Sequence, residues 1–597
     1  MAVSVPKWMP AFATPGVPGQ TKQILKGING SVSSGQVLAI IGASGSGKTT
    51  LLDRLANAPM MAGGVLSGSI RVNGIKLTDR FFKANCAYVH QDDRLWGALT
   101  VYENLDMAAK LYSPNLSEVE RKQRINNILD ATGLQSCKHT KVGNVLIKGV
   151  SGGQRRRVSI AVELMGTPAL LFLDEPTSGL DSKSAAEIME LLRKIAKSLN
   201  VLVVCSIHQP STRTFLQFDL TLLLSKGKAV YFGPAASALD YFAKEGYKTS
   251  QMMNPADFLI EISNPDFNDP DKVDALIAKW DAYWKQDAKE GDAKRPDSIS
   301  DMTTYKEDQQ VNWEREYPYA SGYVWQTYVL MQRMFKSYTR DPGAYIGRGV
   351  LYTSMSIIFG IIYLGARDKD QESVLDILFA IAWGMATPSY MAVMIMPVFT
   401  YESATFEKEA KNGMYAPVSY VISSSLVQML FVLLTSALSV IPYYWLTDIN
   451  PRPGRFFLFL LVQYVFLYTV ESLCIVAAAV IPNFVIALGV VVSGLSNFFV
   501  FNGLFVTPDR VPWVFRWIEF ISPHNYALAG LSKVSFSGED FSGFDSCTTG
   551  CFGATGDDVL DAVQGLESDV DLGLIFGVLI AESIALRFLH WYILRNN

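Results

Sequence analysis

The sequence predicts an α/β domain with a substantially parallel sheet, followed by an all-α domain of six apolar helices. Three observations carry this. Short apolar runs alternate with helical patterns from residue 20 to about 265. Charged residues are abundant before about residue 340 and sparse after it. The second half then holds apolar stretches near the roughly 20 residues a helix needs to cross a bilayer.

Composition agrees. At 597 residues the chain is too long for one domain. It is 49% hydrophobic and 18% charged, where soluble domains carry about 25% charge; mean hydropathy is +0.18. A net charge of -4 and a pI near 5.9 give no basis for a nucleic-acid partner. The one basic triplet, Arg155-Arg156-Arg157, reads as a solvated helix face. The first twenty residues lack the apolar core of a signal peptide, which places the N-terminus in the cytosol. Six cysteines are too few for a disulfide scaffold.

In the first half, VLAII (37–41), SIRVNG (69–74), ALLFLDE (169–175), VLVVCSI (201–207) and LTLLLSKGKAVYFG (220–233) read as strands. RKQRINNILDATGL (121–134) and SKSAAEIMELLRKIAKSL (182–199) read as helices, the latter with i, i+3, i+4, i+7 apolar spacing. IIGASGSGKTT (40–50) follows the first strand. Gly42, Ser44, Gly45 and Gly47 let backbone N–H groups converge on phosphates, Lys48 reaches the β- and γ-phosphates, and the Thr49 hydroxyl, beside Thr50, holds Mg²⁺. ALLFLDE then delivers two acids at a strand end: Asp174 suits the Mg²⁺ shell, and Glu175 suits orienting and deprotonating an attacking water. The first domain is therefore expected to be a P-loop NTPase that takes a nucleotide with Mg²⁺, and ATP is the expected nucleotide because no guanine-reading N-K-x-D motif appears.

Three further pieces complete a set. Gln91 sits in YVHQDD, Ser151-Gly152-Gly153-Gln154 at a helix entrance, and His208 in CSIHQP after the next strand. In this order the set resembles the ATPase domain of ABC transporters. The resemblance implies that Gln91 senses Mg²⁺ and the γ-phosphate. It makes Ser151 to Gln154 the signature that clamps ATP bound by a partner subunit, Asp181 a dimer contact, and His208 the switch histidine. The stretch QTKQILKGINGSVSSG (20–35) ahead of the phosphate loop holds no aromatic residue, so adenine is expected to pack near Ile24 and Lys26.

The expected domains are the ATPase over 1–265, a charged linker over 266–318 that is flexible or partly helical, an amphipathic surface helix over 319–340, and six spans over 341–597. The spans lie near 344–364, 374–400, 416–446, 456–480, 484–506 and 572–594, with an outer loop at about 507–570. That loop includes WVFRWIEFISPHNYALAGL, read as a re-entrant or interfacial hairpin broken at Ser522-Pro523. Lys and Arg show no bias between the two sides, so orientation rests on the ATPase, with both termini cytosolic.

An ATPase placed before its spans, together with NPADFL (254–259), Arg340-Asp341-Pro342 and ISPHNY (521–526), resembles the G (White/pigment) subfamily of ABC half-transporters. That resemblance implies an ATP-driven exporter of hydrophobic or amphipathic compounds such as lipids, sterols or xenobiotics, working in the membrane as a homodimer or as a heterodimer with another half-transporter. A lipid floppase and a non-transporting regulator are the alternatives. The plasma membrane is the expected location and an intracellular membrane the alternative. The resemblance also nominates a substrate cavity of Thr387, Tyr390, Ser496 and Phe499, an apolar plug of Leu504 and Phe505, and a coupling helix in FEKEAKNGMY (406–415). Glu471 and Glu582 read as structural hydrogen-bonding groups within spans, in preference to a relay, and Arg587 as snorkelling to the interface. Cys547 and Cys551 either pair with each other or bridge two subunits.

Overall fold

A computed structural model describes residues 2–6, 21–58, 65–144, 147–249, 253–291, 319–506, 511–544, 551–563, 566 and 568–596. The chain divides into two compact units. One takes 1–144, 148–322 and 407–415; the other takes 145–147, 323–406 and 416–597.

In the first unit, β1 (Ala2–Pro6) lies between β2 (Thr21–Lys26) and β4 (Val65–Ser67) in a small antiparallel sheet. The main sheet holds β3 (Val37–Gly42), β7 (Cys86–Val89), β8 (Leu170–Leu173), β9 (Leu202–Ser206), β10 (Leu220–Ser225) and β11 (Lys228–Pro234), in the order β11-β10-β3-β9-β8-β7. It is parallel except for the β10–β11 hairpin. All six residues of β3 are buried, which is why its sequence is a continuous apolar run. SIRVNG does not join this sheet. It supplies β5 (Arg71–Val72), which pairs with β6 (Ile75–Lys76) across Asn73-Gly74, both at positive φ, the backbone a two-residue hairpin turn requires.

Helices α1 (Lys48–Leu55), α2 (Asp79–Asn85), α3 (Val101–Tyr112), α4 (Glu118–Ala131), α5 (Gly152–Leu164), α6 (Ser182–Leu199), α7 (Thr212–Phe215), α8 (Ala238–Lys244), α9 (Pro255–Ser263) and α10 (Pro270–Gly291) complete the unit. Thr100, Ser117 and Ser151 each close a capping box at a helix start. Helix α10 takes up 270–291 of the expected linker. Val273, Leu276, Ile277 and Trp280 are buried at helical spacing, which gives the helix an apolar face. The Trp280 ring lies 5.3 Å from that of Tyr231 on β11 and 5.4 Å from that of Tyr241 on α8. The remainder, 292–318, lies outside the described residues.

The second unit is helical: α11 (Tyr323–Arg340), α12 (Gly347–Ile362), α13 (Ser373–Met391), α14 (Ile395–Lys411), α15 (Pro417–Thr447), α16 (Pro453–Val480), α17 (Phe484–Val500), α18 (Arg516–Ile521), α19 (Pro523–Phe536), α20 (Gly556–Ala562) and α21 (Leu572–Asn596). Among the described residues, four helices are long and apolar enough to cross a membrane: Ser373–Lys411, which joins α13 and α14 through a 3₁₀ turn, then α15, α16 and α21. The shorter apolar helices α12 and α17 coincide with the first and fifth expected spans. Helix α11 buries Gln326, Val329, Leu330, Arg333, Met334, Ser337 and Tyr338 on one face and packs against α15.

The stretch expected as an outer loop is largely helical. Ser522 caps α19, and that helix is buried through His524, Leu528 and Leu531 against its neighbours, with His524 Nε2 2.9 Å from Ser389 Oγ on α13. Cys551 is disulfide-bonded; Cys547 lies outside the described residues. The other four cysteines are free and buried.

Three charged side chains inside the bundle, Arg348, Glu471 and Arg587, are linked through Gln428 and one ion pair. Arg348 on α12 bonds Glu471 on α16, Gln428 on α15 donates to Glu471 at 2.7 Å, and Arg587 on α21 donates to Gln428. Arg587 therefore does not snorkel. It is buried, donating to Gln428, with its guanidinium 4.9 Å from the Tyr468 ring centroid. Glu582 is half-buried.

Candidate active site

The phosphate loop runs from the end of β3 into α1. Gly42, Gly45 and Gly47 all have positive φ, and a Cβ on Gly47 would stand 2.9 Å from Leu25 Cδ2. Lys48 is buried, and its ammonium donates to the carbonyls of Gly42 and Ala43 at 2.9 and 3.0 Å, folded across the loop it serves. Burial pulls that ammonium below its ordinary pKa, with Glu175 and Asp174 opposing. Ser44, Gly45 and Thr49 are exposed and Thr50 is half-buried in the first turn of α1. The loop's positive-φ glycines lead into a helix N-terminus, and residues of this kind fit a nucleotide's phosphates. Half-buried Ile24 and exposed Lys26 lie on β2, whose Lys26 N–H donates to Gly227.

The acidic pair is held from two sides. Ser206 at the end of β9 donates its hydroxyl to Asp174 Oδ1 at 2.6 Å and accepts the Glu175 N–H at 2.9 Å. Glu175 sits at φ 42, a left-handed backbone that costs on the order of 1–3 kcal/mol and turns its carboxylate out of the strand. Gln91 Nε2 donates to Glu175 Oε2 at 3.0 Å and to Ser178 Oγ at 3.4 Å. Burial raises the Asp174 carboxyl above its usual range, Asp53 and Glu175 add to this, and the Ser206 hydroxyl and Lys411 oppose it. The Asp174 oxygens and the Thr49 hydroxyl are hard donors of the kind Mg²⁺ takes.

Other expected residues stand elsewhere on the unit. Ser151 is exposed at the N-cap of α5, where Gln154 Oε1 accepts its N–H at 3.1 Å; Gly152 is exposed and Gly153 half-buried. Asp181 caps α6, accepting the Ser184 N–H at 3.0 Å, and the bonds from Ser184 hold its carboxyl below the ordinary range. His208 is exposed just past β9, and its ring bonds none of the other site residues among those described.

Sequence reasoning missed Arg156. It is not a solvated charge: it is 3% exposed, donates to the carbonyl of His90 at 2.7 Å and to that of Gln91, and pairs with Asp93 at 3.1 Å. Its place directly behind Ser151–Gln154 was the available signal. Replacing it should free the backbone that aims Gln91: Arg156→Ala is expected to cut ATP turnover at least tenfold with smaller loss of nucleotide binding, measured by steady-state hydrolysis beside a fluorescent-nucleotide titration.

Residues 407–415 also belong to this unit, although their sequence neighbours belong to the other. Lys408 is buried, donates to Ser159 Oγ at 2.9 Å and pairs with Glu163 at 3.2 Å, while Tyr112 OH donates to Glu163 at 3.0 Å. Burial raises the Glu163 carboxyl, with Lys408 opposing. Trp96 Nε1 donates to Glu409 Oε1 at 3.2 Å, and Arg94 pairs with Glu407 at 3.2 Å.

In the helical unit, four of the six nominated cavity residues come together. Tyr390 OH donates to Ser496 Oγ at 3.3 Å, and the Tyr390 and Phe499 rings lie 6.4 Å apart. The Phe499 ring is 4.9 Å from Phe505 and 5.4 Å from Trp383, a residue the sequence did not single out. Thr387 faces elsewhere, lining a small cavity with Tyr352, Ser356 and Tyr443 between α12, α13 and α15. Leu504 is half-buried in the turn after α17, its N–H on Asn502 Oδ1 at 3.1 Å.

Comparison with known proteins agrees with this arrangement. Residues 25–178 match the family described as ABC transporter, and residues 208–284 and 326–536 match two described as ABC-2 type transporter. ABC transporter G family member 11 of Arabidopsis thaliana is 31% identical, covering 97% of this chain and 84% of that protein. ATP-binding cassette sub-family G member 8 of Rattus norvegicus is 30% identical, covering 86% of this chain and 75% of that one. The broad substrate specificity ATP-binding cassette transporter ABCG2 of Sus scrofa is 31% identical, covering 87% and 81%. With its ATPase ahead of its membrane domain, as in these relatives, the chain is an ATP-hydrolysing membrane transporter and belongs to the ABC transporter G family.

Proposed function

We propose that this chain works as a dimer that exports a hydrophobic or amphipathic compound, a lipid, sterol or xenobiotic, using ATP and Mg²⁺ in two composite sites. Lys48 and the loop amides bind the phosphates, and Thr49 and Asp174 hold Mg²⁺, which neutralises phosphate charge when bound. Gln91 and Glu175 orient the attacking water, and Glu175 takes its proton. Ser151, Gly152, Gly153 and Gln154, exposed or half-buried away from their own chain's core, clamp the nucleotide of the partner chain, with Asp181 at the contact. His208, also exposed, turns toward the γ-phosphate when that contact forms. Adenine rests on Ile24 and Lys26. In the membrane, Tyr390, Phe499 and Trp383 give flat apolar ligands an aromatic wall, with Leu504 and Phe505 beyond it and Ser496 as a polar contact.

The observation that carries the coupling of these halves is the packing of residues 407–415 into the ATPase unit around Glu163, Trp96 and Tyr88. One relative bears on cargo, and only by name, the broad substrate specificity transporter. We place the protein in the plasma membrane with both termini cytosolic. The test is uptake of labelled sterol, phospholipid and planar xenobiotic into inside-out vesicles. Uptake requiring hydrolysable ATP and lost in Tyr390→Ala or Phe499→Ala supports the reading. Movement of headgroup-labelled lipid alone replaces it with a floppase, and nucleotide binding without any movement contradicts it.

A further inference from the structure

We propose that Lys411 is a positioning residue for the nucleotide site: stacked on Tyr88, its ammonium balances the Asp53 carboxylate on the helix that begins at Lys48, so that MgATP affinity depends on the docking of residues 407–415.

The geometry is compact. Lys411 Nζ sits 3.7 Å from the Tyr88 ring centroid and 3.9 Å from Asp53 Oδ1. Tyr88 OH donates to that same oxygen at 3.0 Å. One carboxylate oxygen thus meets both a hydroxyl and a cation. The Lys411 side chain is 18% exposed and that of Asp53 35%, so their interaction is only partly screened. Asp53 lies within α1, whose first turn carries Lys48, Thr49 and Thr50.

The backbone fixes this contact. Strand β7 is the open edge of the main sheet, and Asn412 closes it as another strand would: Tyr88 N–H donates to Asn412 Oδ1 at 2.9 Å, and Asn412 Nδ2 donates to the Tyr88 carbonyl at 3.0 Å. Gly413 follows at φ 69, where a Cβ would stand 2.7 Å from Lys83 Cβ, so the turn has one shape. On the other side of the strand, the Val89 carbonyl accepts the Asp174 N–H at 3.0 Å, and two residues beyond lies Gln91, bonded to Glu175. Lys411 therefore reaches the phosphate helix through Asp53, and the strand it stacks on carries the backbone of the metal-binding acid. When residues 407–415 are docked, Asp53 is balanced. When they withdraw, its charge is added to a site that must accept a polyanion. Nucleotide binding and the docking of 407–415 then favour each other by linkage.

This rests on the reading that Lys48, Thr49 and Asp174 hold MgATP, and the experiment separates the two. Steady-state KM and kcat for MgATP are measured on the full chain in lipid nanodiscs. Lys411→Met, which keeps the aliphatic stem on the ring, is expected to raise KM roughly three- to tenfold, as loss of one partly screened charge would, with kcat within about twofold. Lys411→Arg restores the wild-type KM. Asp53→Asn, which keeps a partner for Tyr88, lowers KM when made alone and returns the Lys411→Met chain to within about twofold of wild type. A merely structural stacking role would not reverse sign with charge. An unchanged KM in Lys411→Met, or no rescue by Asp53→Asn, overturns the proposal. If Lys411→Met fails to fold, the fall in KM for Asp53→Asn decides it. Lys48→Ala turning over normally would instead overturn the site reading itself, and this proposal with it.

Discussion

Glu175→Gln is expected to lower ATP turnover by about 10²- to 10⁴-fold while leaving nucleotide binding intact. Glutamine keeps the shape of the side chain and its acceptor toward Gln91, so the 3.0 Å contact and the backbone anchor on Ser206 survive. What it removes is the carboxylate proposed to take the proton of the attacking water. The adjacent acid, Asp174, is engaged by Ser206 at 2.6 Å and is the proposed metal ligand, so it is not expected to replace the base. The measurement is phosphate release beside a nucleotide-binding titration on the same preparation. Retained turnover would place the base elsewhere. Weakened binding with unchanged turnover would make Glu175 a ligand instead of a base.

The largest expected effect on stability lies in the membrane bundle. Arg348→Met should destabilise the helical unit by about 3–5 kcal/mol, because among the described residues it leaves Glu471 as a buried charge held by Gln428 alone. Arg348 is 0% exposed and Glu471 1%, so neither can reach water by a rotamer change. The pair ties α12 to α16, and Gln428 extends it to α15 and, through Arg587, to α21. Replacing both charges, as Arg348→Met with Glu471→Leu, should recover much of the loss, since apolar replacement of a buried pair is often neutral or better. Thermal unfolding of the chain in nanodiscs checks this. Equal midpoints for wild type and Arg348→Met would mean that the pair contributes nothing to the fold.

Much of this was legible in the sequence where the chemistry is local. A phosphate loop needs glycine at left-handed positions, and Gly42, Gly45 and Gly47 show it directly. A strand buried on both faces must be apolar throughout, which revealed β3, β8, β9 and β10. The SKSAAEIMELLRKIAKSL pattern matches α6 residue for residue. What stayed hidden depends on contacts distant in sequence. Charge alone reads as solvent exposure, so Arg156, Arg348, Arg587 and Lys411 gave no sign that carbonyls, carboxylates or a ring were waiting for them. Helix α10 was masked by the same habit, since its polar residues outnumber the four that are buried. The left-handed backbone at Glu175 was invisible for another reason: nothing in Asp-Glu-Pro announces a positive φ that only tertiary packing enforces.

The central claim is that two chains complete each other's sites, and Gly153→Asp tests it most directly. Gly153 is half-buried at the start of α5, and a Cβ there meets Ser184 at an ordinary 3.6 Å, so a side chain fits without disturbing the fold. The measurement is ATP turnover against oligomeric mass for wild type and Gly153→Asp in lipid nanodiscs. Turnover is expected to be confined to dimers and lost in Gly153→Asp, although the variant still binds nucleotide through Lys48. Turnover in a monomeric fraction, or full activity of the Gly153→Asp dimer, would contradict it.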